Sequence, residues 1–230
     1  MINLSNSFLN NILKNLDCST GKFFRHTLFY VLKAAAVGMA IFGAYLIISG
    51  IFGKTGYFST LKGSFTGFEL TRSIICFAIT LVINILFFLT ISGILWSRAE
   101  GFKDSDTTGV LFIFPKLLKI AGEVLCLIPA FISVISFFAI LLAAIPYAPI
   151  EGVMQLSGGI GSSMINDVVG NTFSAIFIQN FSDYINLLFN GGLLGLFRGF
   201  AIGFVILLGA YLVAEFFEIL LYFLLRQQKK

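Results

Sequence analysis

Long apolar runs separated by short polar stretches set the pattern of this chain. Four runs, at residues 28–52, 73–96, 117–145 and 199–225, reach or exceed the ~20 residues a helix needs to cross the hydrocarbon core of a bilayer. They predict an all-α integral membrane protein of four transmembrane helices forming a single domain over 1–230. Two weaker, one-sided patterns flank them. Near the N-terminus Phe8, Leu9, Ile12, Leu13 and Leu16 recur at helical spacing opposite Asn and Ser, which predicts an interfacial amphipathic helix over 1–17, broken by Cys18–Gly21. Before the fourth span Phe181, Tyr184, Ile185 and Leu188 share one face. This predicts a second interfacial helix within an extracytoplasmic or re-entrant segment at 146–192.

Proline and the anchoring residues refine the spans. Trp96 and Arg98 close the second at an interface. Pro115 suits the first turn of the third, Pro129 is expected to kink it, and Pro146 to stop it. Of the 15 Lys and Arg residues, all but Lys54, Lys62, Arg72 and Arg198 fall at the termini, in the middle loop or on the flanks of that loop. That bias places both termini on the cytoplasmic side of a plasma (bacterial inner) membrane, or on the equivalent side of an organellar inner membrane.

The stretch from Gly191 to Leu225 carries the most unusual residues. Gly195, Gly199 and Gly203 recur every four positions and would stack into a smooth ridge for close helix packing or self-association. Ala36, Ala40 and Ala44 form a comparable small-residue stripe on the first span. Further along the fourth span, Glu215 and Glu218 place carboxyl groups in an apolar run, where charge is costly. Helix rise puts Glu218, eight residues before Arg226, and Lys33, eight after Arg25, each ~12 Å in from the same face. An ion pair between the first and fourth spans is therefore expected, and Glu123 is expected to pair with Lys119 one turn earlier. With Asn84 near mid-span, Lys33, Asn84, Glu123, Glu215 and Glu218 form a candidate intramembrane polar set. Because the two deep glutamates outnumber Lys33, one carboxyl could instead relay protons or hold a cation.

Composition narrows the function classes. Hydrophobic residues make up 58% and charged residues 11%, well under the ~25% of a soluble chain. The net charge of +4 suits anionic head groups, and no dense basic face points to nucleic acid. Cys18, Cys76 and Cys126 lie far apart, and His26 is the single histidine, so no metal or haem ligand set is expected. The Asp104–Asp106 turn lacks the EF-hand spacing, and the glycine run at 158–163 lacks the phosphate-loop lysine. With no nucleophile–base pair and no nucleotide fingerprint, neither catalysis nor a cofactor is expected. Length and hydropathy are similar to those of proton-channel subunits of rotary ATPases. The arginine such a subunit needs in its penultimate span is missing, since Arg198 falls at a helix end. The expectation is a non-catalytic structural or assembly subunit of a larger membrane complex, embedded in the bilayer and contacting other membrane subunits or itself. The alternative is a small oligomeric ion channel or proton-coupled transporter using the intramembrane glutamates.

Overall fold

The computed structural model describes residues 2–52, 57, 67–103, 113–144 and 181–227; side chains are described between Phe24 and Phe223. Those residues form α1 (Ile2–Phe52), α2 (Phe68–Lys103), α3 (Ile113–Leu142), α4 (Phe181–Leu187), a π-helical turn (Leu188–Leu193) and α5 (Leu194–Gln227). Among the described residues there is no strand, and four helical stretches are long and apolar enough to cross a membrane: Phe24–Phe52, Phe68–Lys103, Ile113–Leu142 and Phe181–Phe223. The loop at 53–66 apart from Tyr57, the acidic turn at 104–112, and residues 145–180 with their glycine run lie outside the described residues.

Two expected boundaries are replaced by continuous helix. The backbone of α1 runs through Cys18–Gly21 unbroken, giving a helix of 51 residues. The reason is local: Ser, Thr and one Gly lower helix propensity by at most about 1 kcal/mol each, and no proline enforces a stop. Likewise Phe181–Phe189 is not a separate helix. It joins α5 through the π turn Leu188–Leu193, whose wider coil takes up Asn190, Gly191 and Gly192. Gly192 is buried there, and a Cβ added to it would touch Phe137 at 3.5 Å. The hydroxyl of Tyr184 donates to Leu141 O at 2.6 Å, which pins α4 to the end of α3.

That end of α3 has its own stop signal. Ala143 adopts φ 44°, its N–H donates to Ile140 O (3.0 Å), and Ala144 N–H donates to Ala139 O (3.0 Å). These are the two bonds of a Schellman cap, formed three residues before Pro146. Pro129, in contrast, does not terminate α3.

The helices pack in sequence order: α1 on α2, α2 on α3, α3 on α5. Buried fractions agree, since 44% and 39% of the most apolar stretches of α2 and α3 are buried, against 11% for α1 and for α4–α5. The main core joins Phe87, Phe88 and Ile91 of α2 to Ile132 and Ile135 of α3, with Met39 and Leu46 of α1 against it. A second cluster unites Leu32, Ala99, Phe102, Ile113 and Ile120 at the end where α2 finishes and α3 begins. Near the opposite end Tyr57 stacks on Phe77 (4.8 Å between centroids) and donates to Ser73 O at 3.0 Å. Burial there pushes the Tyr57 phenol well above its ordinary pKa.

Candidate functional site

Close approach of α3 and α5 sets the register of the polar residues. A Cβ on Gly199 would overlap Ser133, one on Gly203 would sit 2.5 Å from Cys126 O, and one on Gly122 would overlap Ala210. Moving forward along α3 from Gly122 to Ser133 moves backward along α5 from Ala210 to Gly199, so the helices are antiparallel. Gly195 meets nothing within 4 Å, so two of the three regularly spaced glycines face α3. On α1, Ala36 is fully buried and its carbonyl accepts from Ser92 Oγ at 2.8 Å. Ala40 is half-buried and Ala44 exposed. The close contact falls instead at Gly43, where a Cβ would collide with Phe88.

This register brings charged residues of three helices together at one end. Arg98 of α2 grips Glu123 of α3 with both arms of its guanidinium: Nε donates to Oε2 at 2.8 Å, and Nη2 donates to Oε1. Tyr211 of α5 donates to the same Oε1 and accepts from Arg98 Nη2 at 3.3 Å. Seven residues on, Glu218 of α5 accepts from Lys119 Nζ of α3 at 3.1 Å. The Lys119 ammonium also lies 5.7 Å from the centre of the Tyr211 ring. The Glu123 side chain is 13% exposed and the Arg98 side chain 50%, so the carboxylate is held inward and the guanidinium reaches it from a wetter position.

The expected ion pairs are corrected. Lys33 does not meet Glu218; it reaches Glu100 of α2 at 3.7 Å and lies 4.2 Å over the Trp96 ring. The reason is the helix order, which puts α1 and α5 at opposite ends of the packing series, beyond the reach of equal membrane depth. Glu123 does not pair with Lys119 along its own helix, because Arg98 offers a bidentate fork and Lys119 is drawn to Glu218. Asn84 is fully buried and its Nδ2 donates to Thr80 O at 2.7 Å. It lies 14 residues before Arg98, ~21 Å along α2, and is not part of the cluster. Glu215 stands exposed on α5 among Leu212, Val213, Phe216 and Phe217, and it makes no ion pair among the described residues.

Arg98, Glu100 and Tyr211 were not in the expected set. Arg98 and Glu100 follow the apolar run and read as a solvated loop, yet α2 extends to Lys103. Spacing along the chain does not single out Tyr211; it follows from the register, in which Gly122 meets Ala210 and so sets the neighbouring Glu123 beside Tyr211. Beside these pairs a cleft of about 270 Å³ opens between α2, α3 and α5, lined by Arg98, Gly101, Phe102, Lys116, Lys119, Ile120 and Glu218. Among the described residues no group of three or more His, Cys, Asp or Glu is placed to hold a metal ion.

Among the described residues the fold is all-helical, with four helices long and apolar enough to cross a membrane and an ionic clasp at one end. Comparison with protein-family models, curated proteins and solved structures finds no match.

Proposed function

We propose that the protein is a non-catalytic polytopic subunit that assembles into a larger membrane complex through α5. The observation that carries this reading is the position of Glu215. It is exposed on an apolar helix, with no ion pair among the described residues. Glu215 lies between Tyr211 and Glu218, at the level of the clasp, where a carboxylate on an apolar surface is still unfavourable, and a neighbour offering Lys, Arg or another donor relieves that cost. The exposed Leu212, Val213 and Phe216 around it supply apolar contact area for the same neighbour. A channel or transporter built on the glutamates has less support, since Glu123 and Glu218 each already hold a cation.

Purification in mild detergent tests the reading. Wild-type protein should carry a partner chain, or a second copy of itself, and Glu215→Leu should release it while leaving the thermal transition in place. Retention of the partner by Glu215→Leu would sink the docking role of Glu215. We place both termini on the cytoplasmic side, which the clustering of basic residues supports. Cysteines introduced at Ser59 and Ser157 should then label from outside and one at Ser105 should not; the opposite pattern inverts the topology.

A further inference from the structure

The cleft beside the clasp has a charge pattern that the packing of the helices does not use. Its walls carry three cations, Arg98, Lys116 and Lys119, against one carboxylate, Glu218. Arg98 and Lys119 already have carboxylate partners. Lys116 makes no ion pair among the described residues; it lines the cleft with its ammonium 5.7 Å from the Phe102 ring centre. Phe102 and Ile120, both buried in the core, complete the lining. The cleft sits where α2 ends at Lys103 and α3 begins at Ile113, at the end of the apolar spans and not at their middle.

Net positive charge and a volume of about 270 Å³ between helices at the end of the spans are the features of a pocket for a phosphate-bearing anion. We infer that this cleft binds a phosphate group, with Lys116 as its principal free cation among the described residues and Arg98 and Lys119 sharing their outer N–H groups with it. The headgroup of an anionic phospholipid and a soluble phosphate offer the same chemistry.

The test uses full-length protein stripped of lipid in a neutral detergent and titrated with phosphatidylglycerol or phosphatidylcholine, read by native mass spectrometry. Wild type should bind phosphatidylglycerol in preference. Lys116→Gln should weaken that binding about fivefold, the effect of one basic residue near a membrane surface. Arg198→Gln removes the same charge from an exposed position on the first turns of α5 and should leave the affinity unchanged. Glu218→Gln removes the one carboxylate from the wall and frees Lys119, so it should tighten binding by a similar factor; a variant that merely folds poorly cannot do this. Competition with millimolar inorganic phosphate separates the sources: displacement assigns a soluble phosphate, and persistence assigns the lipid headgroup, both with the cleft as site. Equal weakening by Lys116→Gln and Arg198→Gln, or equal binding of the two lipids, would overturn the assignment.

Discussion

Replacing Arg98 with Met tests whether the clasp holds α2, α3 and α5 together. The Arg98→Met protein keeps a long apolar stem but leaves Glu123, whose side chain is only 13% exposed, with Tyr211 as the donor from the clasp. Removing one partner of a fully buried pair costs ~3–5 kcal/mol. Arg98 is half exposed, so water and head groups screen part of the interaction and the loss is reduced to about 2 kcal/mol. Glu123→Met should cost a comparable ~2 kcal/mol, because it strands Arg98 while removing the buried charge. The double variant should also lose ~2 kcal/mol, so that the coupling is near 2 kcal/mol, or about thirtyfold in the unfolding equilibrium. Trp96, the single tryptophan, sits two residues before Arg98 and gives a fluorescence signal for unfolding in mixed micelles of neutral detergent and dodecyl sulfate. A double variant that loses about 4 kcal/mol, the sum of the singles, would show that the two side chains do not interact in the membrane.

Two further outcomes separate packing from coincidence of spacing. Gly203→Leu should lower stability by ~3 kcal/mol, because its Cβ meets backbone at Cys126, whereas Gly195→Leu should stay within ~0.5 kcal/mol of wild type; equal losses in thermal unfolding would deny the α3–α5 contact. Lys33→Met and Glu218→Met should lose stability additively in the double variant, since each has a different partner, and recovery in that variant would bring α1 and α5 together after all.

Helix existence was legible in the sequence because apolar run length is a property of each segment alone. The four spans at 28–52, 73–96, 117–145 and 199–225 all fall inside observed helices, apart from the last residues of the third. Their ends were less legible. Arg98 and Glu100 look like loop residues, but a helix can carry charge past the hydrocarbon as easily as a turn can, so polarity marks the membrane edge and not the helix end. The partners of the charged residues were least legible. Depth along a span follows from counting, and that placed Lys33 and Glu218 at one level. Which helices lie side by side does not follow from counting, and α2 and α3 intervene. The stripe on α1 shows the same limit: its close contact is Gly43 on Phe88, while Ala44, one residue on, points away.

Helix order has a consequence for how the protein is made. Each spanning helix after the first packs against the span synthesised just before it, α2 on α1, α3 on α2 and α5 on α3, and the most extensive of these contacts is α3 with α5. Packing can therefore begin as the chain is made, and pairing of successive helices speeds folding, while the face of α3 that carries Gly122, Glu123 and Lys119 waits for α5. The last step is the docking of α5, whose glycines must slide against the already inserted α3 before Tyr211 and Glu218 find their partners. A chain released before Gly199 would still hold the α1–α2–α3 core, but it would expose Gly122, Glu123 and Lys119 to lipid. Those three residues are thus the marks by which an unfinished molecule differs from a finished one.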